Sequence, residues 1–121
     1  LAVIDDEVEM EFLYQILLET SIESGLIELK FFSDSREFLN WIDHSGAPEL
    51  ILCDINMPHL SGIELAKRLR NQNKNMSIFF ISGYDSCDFK EYIKDLNIKK
   101  FITKPIDYDS LVNTIHAELG I

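Results

Sequence analysis

The chain has 121 residues, 46% of them hydrophobic, which is enough for one core and short for two domains. With 21 acidic residues against 11 basic ones it carries a formal net charge of -10 and a pI of about 4.6; without a basic stripe to neutralise a run of phosphates, unaided nucleic-acid binding is excluded. No apolar run reaches membrane-spanning length, no signal-peptide pattern is present, and Cys53 and Cys87 have neither metal-site spacing nor the density of a disulfide scaffold, so a cytoplasmic domain without membrane contact is expected.

Leu1 to Ile4 is an apolar run of buried-strand type, and a start on this run without Met agrees with a domain taken from a longer protein. Val8, Phe12, Leu13, Ile16 and Leu17 recur at helical spacing and predict a first helix over about 7–20, with these residues against a sheet. A second strand is predicted over Leu26 to Phe32, where Ile27, Leu29 and Phe31 alternate with Glu28 and Lys30. Phe38, Leu39 and Ile42 mark a second helix over about 34–43, ended near Gly46 and Pro48. Leu50-Ile51-Leu52-Cys53 is continuous and apolar, as in a central parallel strand covered on both faces, and Asp54 stands where the chain leaves it.

Ser61 with Glu64 three residues on forms a capping-box pattern for a third helix lined by Ile63, Ala66 and Leu69. Ser77 to Ile81 is the fourth strand; it leaves through Ser82-Gly83-Tyr84-Asp85, where Gly83 loosens the backbone. A fourth helix over about 85–96 carries Phe89, Ile93 and Leu96. Ile98 to Ile102 forms the last strand, with Lys99 and Lys100 at its start, and Pro105 stops it. Asp107 caps a fifth helix with Leu111, Ile115 and Leu119 on its buried side and Ile106 against Leu111 as a staple. Five strand–helix pairs predict an α/β doubly wound sheet, with its ligand site outside the carboxyl ends of the strands.

The polar residues that close these strands all fall on that rim: Asp5-Asp6 after the first, Asp54 after the third, Ser82 after the fourth and Lys104 after the fifth. Three converging carboxylates raise one another's cost of ionisation, and a hard divalent cation offsets the repulsion. Mg²⁺ suits such oxygen ligands and also contacts phosphate oxygens. Asp54 is the preferred nucleophile, since a carboxylate can attack phosphorus and form an aspartyl-phosphate. Lys104 supplies a point charge and Ser82 a hydroxyl donor for the transferred group. Adjacency leaves open which of Asp5 and Asp6 meets the metal directly.

Four elements in this order resemble the receiver domain of two-component response regulators across essentially the whole chain. They are Val3-Ile4-Asp5-Asp6-Glu7, Leu52-Cys53-Asp54-Ile55-Asn56-Met57-Pro58 with Ser61-Gly62, Ile81-Ser82-Gly83, and Phe101-Ile102-Thr103-Lys104-Pro105. The resemblance implies a flavodoxin-like (βα)5 fold with strand order 2-1-3-4-5. It implies that Asp54 takes phosphate from a histidine kinase or a histidine phosphotransfer protein. Mg²⁺ would be held by Asp6, Asp54 and the backbone carbonyl of Asn56, with Asp5 helping directly or through water. Ser82 would move toward the phosphoryl group, Lys104 would pair with it and Phe101 would change rotamer. A cis Lys104–Pro105 bond is implied as well. The surface of the fourth helix, fifth strand and fifth helix would then change for an output domain or a homodimer partner. Two departures are small: serine stands at 82 where threonine is frequent, and phenylalanine at 101 lacks the hydroxyl of the frequent tyrosine. Asn56 and Tyr84 flank the site.

Other conspicuous groups are read structurally: Cys53 as a small core residue, Trp41 as packing, Ser61-Gly62 as a loop and helix start, and His44, His59 and His116 as scattered side chains without a ligand set. Two competing functions remain at this level, because fold similarity alone decides neither. One is a degenerate receiver serving as a protein-interaction module without phosphorylation. The other is a metal-dependent phosphohydrolase, which this chain, without a substrate cap or a further acid–base group, fits poorly.

Overall fold

Continuous apolar runs alternate with amphipathic ones, and the chain resolves that pattern by laying helices on both faces of a parallel sheet. The computed structural model describes residues 1–84 and 89–121. In chain order the elements are β1 (Ala2–Ile4), α1 (Met10–Leu17), α2 (Glu19–Glu23), β2 (Lys30–Phe32), α3 (Ser35–Ser45), β3 (Leu50–Asp54), α4 (Gly62–Asn71), β4 (Ser77–Ser82), α5 (Lys90–Ile93), β5 (Lys100–Thr103) and α6 (Tyr108–Leu119). All strand pairs are parallel and the sheet order is β2-β1-β3-β4-β5, the flavodoxin-like order.

Two core layers follow from strand alternation. Val3, Leu50, Leu52, Phe79 and Ile81 face Tyr14 and Leu18 and, from α6, Leu111 and Ile115. Ala2, Ile4, Ile51, Cys53, Ile78 and Phe80 face Phe38 and Ile42 of α3 and Leu65, Ala66 and Leu69 of α4. Asp34, Ser61 and Asp107 cap α3, α4 and α6 by accepting from the backbone N–H groups of Arg36, Glu64 and Ser110. Arg70 at the end of α4 donates to the carbonyls of Leu96, Lys74, Met76 and Asn97, tying the approaches to β4 and β5 together.

The first helix differs from expectation twice. It is two pieces that meet at Leu18, whose φ of -108° and ψ of 12° leave the helical region. Its buried face is also different: Val8, Phe12 and Ile16 are exposed, while Met10, Tyr14, Leu17 and Leu18 turn inward. Apolar residues occur most of the way around this helix, so local spacing could not choose between two stripes; its attachment to β1 and packing on the sheet do. β2 is shorter than its alternating pattern, because β1 offers only three register partners, Ala2, Val3 and Ile4. The start expected for the fourth helix, and Cys87, lie outside the described residues. Of that helix the structure describes a turn over Lys90–Ile93, with Leu96 buried beyond it.

Candidate active site at the carboxyl rim

Three strands deliver their polar end residues by the same local device. Asp5 Oδ1 accepts from the N–H of Glu7 at 2.9 Å, Asp54 Oδ1 from that of Asn56 at 3.0 Å, and Ser82 Oγ from that of Tyr84 at 3.0 Å. A side-chain oxygen that accepts two residues ahead turns the chain sharply. Each side chain is thereby held over the rim while its loop leaves.

Register brings the groups together. Ile4 pairs with Cys53, so Asp5 and Asp54 come next on neighbouring strands, and the Asp5 N–H still reaches the Phe32 carbonyl at 3.0 Å. Asp54 pairs with Ile81, placing Ser82 one residue further, and the Lys104 N–H donates to the Ser82 carbonyl at 2.8 Å. The Lys104 ammonium then donates to Asp54 Oδ2 at 3.2 Å. One carboxylate oxygen from each of Asp5, Asp6 and Asp54 lies within 4.8 Å of the others. Asp5 and Asp54 are buried and Asp6 is exposed.

The electrostatics of this group are unbalanced. Burial raises the Asp5 carboxyl to about 6; the Glu7 N–H lowers it in part and the Asp54 charge adds to the rise. Lys104 is desolvated, which lowers its pKa, yet the charge and hydrogen bond of Asp54, with Asp5, raise it overall. Three carboxylates thus face one ammonium among the described residues. An all-oxygen donor set with this excess of negative charge, open on the Asp6 side, fits a hard divalent cation such as Mg²⁺. Thiol and imidazole ligands, which would favour a softer metal, are missing from the set.

The remaining predicted site residues fall around this centre. Ser82 is fully buried, and Asn56, whose N–H holds Asp54, is exposed. Phe101 is half-buried, with its ring 5.9 Å from that of Phe89, which in turn lies 6.2 Å from that of Tyr84. The Lys104–Pro105 peptide is cis. Gly83 follows Ser82 at the strand exit, and an added Cβ there would meet no described atom within 4 Å.

The demanding glycine is Gly62, read from sequence only as a helix start. A Cβ on it would lie 2.6 Å from the Asp54 carbonyl and 3.0 Å from Ile55 Cα, so α4 begins against the exit of β3. The Ser61-Gly62 pair at a helix start was the available signal, but the contact is non-local. Cys53 is wholly enclosed, burial pushes its thiol up, and it donates to the Asp54 carbonyl, as a core residue does. His44 pairs with the Asn40 carbonyl and His116 with Ser21, away from the rim. Trp41 packs on Phe32 and Phe38.

Comparison with known proteins agrees with this geometry. The sequence profile of the family described as "Response regulator receiver domain" matches residues 1–116. The transcriptional regulatory protein NatR of Bacillus subtilis (strain 168) is 32% identical over 85 residues, 70% of this chain and 36% of that protein. Response regulator protein TodT of Pseudomonas putida is 29% identical over 104 residues, 86% of this chain and 45% of that protein, so the chain spans less than half the length of these relatives. Among solved structures, the receiver domain of the Francisella response regulator 1452 superposes with a TM-score of 0.79 at 30% identity, covering 98% of this chain and 94% of that one. With the sheet order, the acidic rim and the family profile in agreement, this chain belongs to the receiver domains of two-component response regulators.

Proposed function

We propose that this domain accepts a phosphoryl group on Asp54 from a phosphohistidine donor, a histidine kinase or a histidine phosphotransfer protein, and signals through the surface formed by α5, β5 and α6. The observation that carries the proposal is the buried Asp54 carboxylate, gripped by Lys104 at 3.2 Å and clustered with Asp5 and Asp6 within 4.8 Å. An Asp54 oxygen attacks phosphorus, the P–N bond of the donor breaks, and its electron pair returns to the imidazole nitrogen. Lys104 moves from neutralising the carboxylate to pairing with the phosphoryl oxygens, and the Ser82 hydroxyl donates to one of them. Mg²⁺, held by Asp5, Asp6, Asp54 and the carbonyl of Asn56, would neutralise charge on the transferred group.

Ser82 and Phe101 sit on paired neighbouring strands, so movement of the serine toward phosphate frees space that Phe101 fills. Phe89 and Tyr84 flank that ring. We assign the chain to the receiver portion of a longer protein, in line with the fraction of its relatives that it spans. Its output is then a further domain or a second copy of the chain. The strongly acidic composition makes DNA contact by this portion unfavourable. No helix among the described residues is long and apolar enough to cross a membrane, and we place the domain in the cytoplasm with its donor.

Intact-protein mass after brief incubation with Mg²⁺ and acetyl phosphate tests the proposal. A gain of about 80 Da, one phosphoryl group, is expected with Mg²⁺ and is lost in Asp54→Asn or without metal. Wild-type protein that gains no mass would instead make the chain an interaction module that works without phosphate.

A further inference from the structure

The outward face of α1 carries large apolar side chains into solvent. Val8, in the turn that enters the helix, Phe12 and Ile16 are 63%, 68% and 53% exposed. Side chains four residues apart stand one above the next on a helix, so the three form a single row about 12 Å long. The opposite side of the same helix is already used, since Met10, Tyr14 and Leu17 pack on the sheet. A contiguous apolar row left on a surface marks a place where another molecule sits, and a straight helix face takes a second helix alongside it.

Position and charge together identify that molecule. The row starts two residues after Asp6, the exposed member of the carboxylate cluster, so no more than about 7 Å of chain separates them. At this end of α1 a cleft lined by Asp5, Glu7, Met10, Lys104 and Ile106 joins the helix to the exit of β5. A helix laid along the row therefore ends beside the Asp54 site. From Asp5 to Glu28 the chain has eight acidic residues and no lysine or arginine, whereas nine of its eleven basic residues lie between Lys67 and Lys104. Glu9 and Glu11 are exposed on opposite margins of the row, and they enter no ion pair among the described residues. A second copy using the same face would set these like charges against each other, and helices that lie on lipid carry Lys and Arg beside their apolar row. A basic partner helix suits both the row and its margins.

We infer that this face of α1 selects the phosphodonor, taking a helix whose apolar row is flanked by lysine and arginine and leaving its phosphohistidine at the rim. The inference rests on the phosphoacceptor reading of Asp54 and adds the chemistry of the donor's docking surface. It also accounts for an exposed phenylalanine on a helix whose other side fills the core.

Fluorescence anisotropy tests it with a labelled, stapled helical peptide that carries a leucine row flanked by lysines, and with a twin flanked by glutamates. Wild-type phosphorylation by acetyl phosphate, thermal unfolding and sedimentation velocity accompany it. The lysine-flanked peptide is expected to bind wild type, less tightly as salt rises, and about tenfold more weakly in Phe12→Ser, which removes an aromatic anchor. Glu11→Lys should weaken it as well, the midpoints of both variants should match wild type, and the glutamate-flanked twin should not bind. Wild type that takes up phosphate but binds neither peptide, or both alike, overturns this inference and leaves the proposed function standing. So does Phe12→Ser that binds as wild type does, or whose lowered midpoint assigns Phe12 to packing. A wild-type dimer that Phe12→Ser dissolves gives the face to a second copy and overturns it too. Wild type that gains no phosphoryl mass overturns both readings together.

Discussion

β3 ends in a residue of the candidate site and β5 leads directly into one, yet they are built differently. All five residues of β3 are buried, with strands on both sides and helices on both faces; none of the four residues of β5 is buried, and it forms the sheet's edge. Asp54 therefore projects from the most constrained strand of the molecule. Phe101 lies on, and Lys104 directly follows, an edge strand that has a neighbour on one side only. A chemical site needs its nucleophile fixed, whereas a signal needs an element whose alternative positions differ little in energy, and one parallel sheet offers both at its centre and its edge.

Truncation of the two strands probes that contrast most directly. Leu52→Ala in β3 should cost about 2–5 kcal/mol, as for a wholly buried leucine, and half-buried Ile102→Ala in β5 about 1 kcal/mol. Urea unfolding with matched m-values measures both; equal costs would break the contrast.

The pH dependence of metal-free protein sharpens it from the electrostatic side. Asp5 is raised from 3.8 to about 6, so between those pH values the folded state holds a proton that the unfolded state has lost, and stability falls as pH rises. Asp5→Asn removes that penalty. At pH 7 it should stabilise the apo domain by up to about 3 kcal/mol, at 1.36 kcal/mol per pKa unit. Below pH 3.8, where both states are protonated, the gain should vanish. Thermal unfolding across this range reads the effect, and a gain independent of pH would remove the charge explanation.

The two glycines separate a tight strand exit from an open one. Gly62→Ala puts a Cβ 2.6 Å from the Asp54 carbonyl, costing about 1–3 kcal/mol as overpacking does and slowing the proposed phosphorylation by displacing Asp54. Gly83→Ala, whose added Cβ would meet no described atom within 4 Å, should stay within about 0.5 kcal/mol of wild type. Unfolding and phosphorylation rates of the pair show whether the β3 exit is the tight one.

Much of the site was readable along the chain because strand ends are local events. A continuous apolar run followed by Asp5, Asp54 or Lys104 marks where backbone leaves a covered sheet, and parallel strands bring such exits to one rim. Caps at Asp34, Ser61 and Asp107 are local too, since a side chain reaches N–H groups only two or three residues away.

Which face of α1 turns inward was not readable in this way, nor was the closeness of Gly62 to Asp54. Each depends on where a second segment, distant in sequence, comes to rest. The order and chemistry of the rim were therefore written in the chain, through apolar runs and the polar residues that end them. Packing of helices on the assembled sheet selected Tyr14 over Phe12 for the core and left Gly62 no room for a side chain, because burial and close contact belong to pairs of segments and have no signature in either one alone.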